Sequence, residues 1–160
     1  MGRLQYQALA LMVVTLVVDQ ISKELVLGYL LKTGAVVSVI DGFFRLVVVW
    51  NRGVSFGMLG GDRALPPWVL SAVAVAVCIA LFIWLRRSDR PLHGWGIGLV
   101  IGGAIGNVID RVRWGAVFDF ADFYVGQWHW PAFNVADSAI VVGVGLMLID
   151  SLVGEKQRAP

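Results

Sequence analysis

Five of the nine aspartates in a chain that keeps few charges are candidates for chemistry: Asp19, Asp110, Asp119, Asp122 and Asp137. Asp19 lies four residues before Lys23, so on a helix the two share a face and can pair. Asn107 and Arg111 bracket Asp110 at the same spacing. Asn134 precedes Asp137 by three residues. Asp119 sits between Phe118 and Phe120, where loss of water favours the protonated carboxyl. The stretch from Asp119 to Asp137 is long enough to fold back and set the two acids face to face. Close carboxyls resist joint ionisation and share one proton. One can then act as base on a water while the other donates to a scissile carbonyl, the chemistry of aspartyl peptide hydrolysis. Spacing alone does not choose the pair among the five acids.

Each residue also has a structural reading. Asp19 and Lys23 can be a self-neutralising pair that tunes helix association. Arg111 can snorkel to the headgroups beside Asp110. Asn107 needs a hydrogen-bond partner wherever water is excluded. Asn134 is a good N-cap, and Asp137 three residues on completes a capping box favoured by the helix dipole.

The elements that must position these groups follow from composition. Of 160 residues, 58% are hydrophobic and 15% charged, with net charge +2. Mean hydropathy is +0.77. Soluble domains carry about 25% charged residues. A soluble fold of this length cannot hide so much apolar surface, and the single Cys78 rules out a disulfide scaffold. A membrane protein is expected, with no nucleic-acid partner: the basic excess reads as topology. A span needs about 20 apolar residues. The expected fold is an all-α membrane protein, one integral-membrane domain over 1–160, with helices at about 4–31, 67–85, 92–110 and 133–153. The first apolar run continues past Asp19 with no small-residue cleavage site, so it reads as a span and not a cleaved leader.

Arg3, Arg86, Arg87, Arg90, Lys156 and Arg158 crowd the short pieces on one side. The positive-inside rule then puts both termini in the cytoplasm and residues 32–66 and 110–132 outside. Two β-branched and aromatic runs flank Asp41-Gly42, which predicts a small extracytoplasmic β element at about 36–50 with a two-residue turn. Gly94, Gly98, Gly102 and Gly106 form one stripe for close helix packing. Polar groups from three helices would converge on one outer layer.

Competing motifs are weaker. Gly53-Val54-Ser55-Phe56-Gly57 matches a nucleophile elbow, but that elbow needs a parallel sheet for which this chain has no room. His129 reads as an interfacial residue. No metal-binding or nucleotide-binding motif is present in the sequence, so no metal and no cofactor are expected. Intramembrane Asp and Lys also suit a small proton-coupled transporter, the alternative reading. A third reading is a scaffold in which Asp137 is only a cap.

The segments DQISK (19–23), NRGVSFG (51–57), GAIGNVIDR (103–111), VFDFADF (117–123) and PAFNVAD (131–137) together resemble the lipoprotein signal peptidase (signal peptidase II) family. The resemblance implies a bacterial inner-membrane aspartyl endopeptidase. Such an enzyme removes the signal peptide from diacylglyceryl-modified prolipoproteins, cutting before the lipidated cysteine. It implies Asp119 and Asp137 as the catalytic pair. It implies Asp19, Lys23, Asn51, Arg52, Asn107, Asp110, Arg111 and Asn134 as supporting or substrate-binding residues. Prolipoproteins and membrane lipids are the implied partners, no cofactor is implied, and the chain is expected to act as a monomer.

Overall fold

A computed structural model describes residues 2–53 and 65–156. Helix α1 runs Arg3–Thr33, α2 Pro67–Leu85, α3 Pro91–Trp114 and α4 Val135–Lys156. Strands β1 (Val36–Ile40), β2 (Phe44–Asn51), β3 (Val117–Val125) and β4 (Trp128–His129) complete the chain. Helices α2, α3 and α4 are long and apolar enough to cross a membrane. Helix α1 has 31 residues, about 46 Å at 1.5 Å per residue, but polar side chains interrupt its apolar run.

Helix α3 is the hub and packs on the other three helices. Its glycines are the reason. A Cβ on Gly102 would stand 2.6 Å from the Met12 carbonyl oxygen of α1, and one on Gly106 2.5 Å from Asp19 Oδ2. The stripe therefore faces α1. A second set, unread in the sequence, faces α4: a Cβ on Gly96 would stand 2.6 Å from the Gly143 carbonyl oxygen. Valines, leucines and isoleucines remain exposed along α1, α2 and α4, and α2 buries only Cys78 and Leu85. Apolar surface of that extent needs lipid around it.

The β element is larger than residues 36–50. It is a four-stranded antiparallel sheet in the order β1-β2-β3-β4, so "all-α" understates the fold. The missed strands are β3, whose Val-Phe-Asp-Phe-Ala-Asp-Phe-Tyr-Val run is rich in strand formers, and the two-residue β4. The first hairpin also differs. Its strands pair from Ile40 to Phe44 across three residues, Asp41, Gly42 and Phe43. Gly42 has φ 79° while no non-glycine residue among those described has positive φ, so the turn is not the I′ type that needs two such residues. Phe118, Phe120 and Ala121 of β3 pack with Leu30 of α1 in a core cluster joined by Phe133 and Val135. That cluster seats the sheet on one end of the bundle.

Candidate active site

Local chemistry delivers the polar groups to the junction of bundle and sheet. Helix α3 runs one turn beyond the expected 110 and stops at Gly115, whose φ of 71° suits a left-handed cap. The chain reverses into β3, where Asp119 pairs with Val49 and is 1% exposed. Asn51, the last residue of β2, has its amide orientation set by an Asx turn: Gly53 N–H donates to Asn51 Oδ1 at 2.8 Å. Asn51 Nδ2 then donates to Asp119 Oδ2 at 2.9 Å.

Asn134 opens α4 as expected. Asp137 N–H donates to Asn134 Oδ1 at 2.9 Å, and Asn134 N–H donates back to Asp137 Oδ2 at 3.2 Å. The capping box is therefore real, yet it is not the whole role of either residue. Asn134 Nδ2 donates to Asp119 Oδ1 at 2.7 Å, so both carboxyls hang on donors of one residue. Asn107 Nδ2 donates to Asp137 Oδ1 at 2.8 Å.

Behind this pair lies a buried ionic layer. Lys23 Nζ stands 2.9 Å from Asp19 Oδ2 and 2.7 Å from Asp110 Oδ2, all three side chains fully buried. It also donates to Asn107 Oδ1 at 3.2 Å. That contact assigns the Asn107 amide: oxygen toward Lys23, nitrogen toward Asp137. Two acids on one lysine need further donors in a dry site. Ala136 N–H supplies one to Asp19 at 2.9 Å, and Phe118 N–H one to Asp110 at 3.2 Å. Gln20 bridges both acids at 3.1 Å each. Reading the sequence left Gln20 out of the site; its one signal is a polar residue beside Asp19 in an apolar helix.

The five aspartates now separate. Asp19 and Asp110 share Lys23 as their ion-pair partner. Asp122 pairs with Arg45 at 2.5 Å and meets His129 at 3.1 Å. Asp119 and Asp137 form no ion pair with any described residue, and each is held by neutral N–H donors. Burial above all pushes the Asp119 carboxyl up from 3.8 to about 7; the Asn51 hydrogen bond opposes this, and the negative charge of Asp137 adds to it.

Arg111 donates to the Asn107 carbonyl at 3.3 Å, and among the described residues its buried Nε has no partner. Arg52 is exposed beyond β2 and makes no hydrogen bond or ion pair with another described residue. Ser55 of the elbow-like motif lies outside the described residues. An apolar cavity of about 350 Å³ opens beside Asp137 and Ser138, walled by Trp130, Phe133, Val141 and Val142. Among the described residues no three His, Cys, Asp or Glu side chains converge as metal ligands do.

Known proteins resemble this chain over most of its length. The family model for signal peptidase (SPase) II matches residues 11–153. The chain belongs to the signal peptidase II family. A lipoprotein signal peptidase from Methylobacterium radiotolerans is 44% identical, covering 92% of this chain and 88% of that one. Another from Syntrophotalea carbinolica is 47% identical over 87% and 88%. A solved structure described as a bacterial membrane enzyme superposes with TM-score 0.76 at 28% identity, covering 96% of this chain and 92% of that one. As a member of this family, with three helices apolar enough to span, the protein is a multi-pass membrane protein.

Proposed function

We propose that this member of the signal peptidase II family is an aspartyl endopeptidase that removes signal peptides from diacylglyceryl-modified prolipoproteins, cutting before the lipidated cysteine. Asp119 and Asp137 are the catalytic pair. The observation that carries this is their shared anchor: both accept hydrogen bonds from Asn134, while neither has an ion-pair partner among the described residues.

The raised carboxyl of Asp119 keeps a proton near neutral pH and suits the acid. Asp137, half-buried beside the apolar cavity, suits the base. Asp137 takes a proton from water as its oxygen attacks the scissile carbonyl, and Asp119 protonates the carbonyl oxygen. In collapse of the tetrahedral intermediate, Asp137 gives its proton to the leaving nitrogen. Asp119 recovers one from the geminal hydroxyl, so the pair returns to its starting state. Asn51, Asn107 and Asn134 orient the acids. Asp19, Lys23 and Asp110 hold Asn107, and Arg52 and Arg111 are substrate-side cations.

Four spans are proposed. Helix α1 joins the other three because its Val13, Val14, Val17 and Val18 face outward like their apolar surfaces. The termini are cytoplasmic, the sheet lies on the outer face of a bacterial inner membrane, residues 1–160 form one domain, and the chain acts as a monomer. A transporter has no support: the ionic layer sits at one end of the bundle, and the family is a peptidase family.

The test is cleavage of a diacylglyceryl prolipoprotein by the purified protein, followed by gel mobility, beside the unlipidated precursor. The lipidated form should be cut and the other spared. Asp119→Asn or Asp137→Asn, folded and cleaving at the wild-type rate, refutes the assignment.

A further inference from the structure

A second built site lies at the opposite end of the bundle, where α2 ends, α3 begins and α4 makes its last turns. A cavity of about 250 Å³ opens there, with Trp84, Arg87, Ser88, Asp89, His93 and Asp150 among its walls. It is rigidly framed. Arg90 closes the wall by pairing with Asp150 Oδ2 at 3.1 Å and by donating to the Asp150 carbonyl. Gln5 of α1 ties the α2–α3 turn from behind, donating to the Ser88 carbonyl at 2.8 Å.

His93 is what the frame leaves unfinished. It is 8% exposed, and its Nε2 is buried without a partner among the described residues. Its Nδ1 lies 2.9 Å from Ser88 Oγ. The other acceptor in reach of that hydroxyl, the Arg90 carbonyl, is at 3.5 Å, the outer limit of a hydrogen bond. The Ser88 proton therefore goes to Nδ1, and the neutral ring carries its own proton on Nε2. A buried N–H without an acceptor is unfavourable, so a ligand supplying one is favoured.

Arg87 forms no ion pair with a described residue. With His93 it offers two donors to an anionic oxygen. Asp89, likewise outside every ion pair of the described residues, and the Trp84 ring offer a carboxylate and a π face to a cation. With Asp150 paired to Arg90, the charges left to a guest are Arg87 and Asp89, which sum to zero and match a guest that carries one charge of each sign. Helix α2 is uncharged up to Leu85, so the cavity lies where hydrocarbon gives way to headgroups.

We propose that this cavity binds the headgroup of a zwitterionic phospholipid with a primary ammonium, its phosphate on Arg87 and His93 and its ammonium at Asp89 and Trp84. The test is native mass spectrometry of the full chain after reconstitution in vesicles of equal phosphatidylethanolamine and phosphatidylglycerol. The wild type should retain one phosphatidylethanolamine, several-fold over phosphatidylglycerol. Arg87→Gln, at an exposed position that leaves the core intact, and His93→Phe should each lower that adduct several-fold. Asp89→Asn should shift the preference toward phosphatidylglycerol. Absence of an adduct, equal or greater retention of phosphatidylglycerol, or an adduct indifferent to Arg87→Gln overturns the proposal. Displacement by millimolar inorganic phosphate overturns the lipid assignment. The readout is lipid mass, so its failure is separable from failure of the peptidase reading.

Discussion

Replacing Asp119 by Asn tests the claim that burial holds its proton. The carboxyl titrates near 7 in the fold against 3.8 when solvated. Below 3.8 both folded and unfolded states are protonated, and Asp119 contributes no pH dependence. Between 3.8 and about 7 the unfolded state binds fewer protons than the folded one, so stability falls as pH rises. Above about 7 the loss is complete and flat. At 1.36 kcal/mol per pKa unit the loss is about 4 kcal/mol. At this chain length that is a fall in Tm of order 10 °C. Asp119→Asn removes the ionisation and keeps the shape. It also replaces an acceptor of the Asn51 or Asn134 bond with a donor, but that cost does not change with pH. Thermal unfolding in one detergent, from pH 4 to pH 8, should show the wild type losing about 10 °C more than the variant across that range. Parallel profiles would refute the desolvation argument, and with it the choice of Asp119 as the acid.

Three other outcomes are expected. Cleavage should decline above about pH 7 as the acid of the pair deprotonates, and a pH–rate profile still rising through pH 9 contradicts this. Lys23→Met should cost about 3–5 kcal/mol by leaving Asp19 and Asp110 buried without a cation, read as a lowered denaturation midpoint. Gly106→Ala should cost about 1–3 kcal/mol, since its Cβ meets a fixed Asp19 oxygen at 2.5 Å, whereas Gly145→Ala, with nothing within 4 Å, should be neutral or slightly stabilising by the same measurement.

Apolar length placed the helices to within a few residues, because lipid-facing helices leave a long apolar record in the chain, legible in α1 even though polar side chains interrupt it. The four-apart glycines likewise announced the α1–α3 contact. The strand carrying Asp119 escaped notice because its two acids interrupt the alternation that marks a strand. One of those acids faces Arg45 and the other faces Asn51, a distinction only the pairing reveals. The capping box at Asn134 and Asp137 was readable from spacing. Its second duty was not, since the donors to Asp119 and Asp137 come from residues far apart in sequence. Gln20 was hidden for the same reason: its partner Asp110 is 90 positions away.

Because Asn134 both starts the last helix and donates to Asp119, winding that first coil and aligning the two acids are coupled. Fraying by a single turn would take the Asn134 donor from Asp119 and swing Asp137 away, leaving Asp119 in β3 on its Asn51 donor alone. A molecule wedged between the carboxyls would, by the same linkage, slow amide exchange at the start of α4, coupling occupancy of the centre to the order of a helix end.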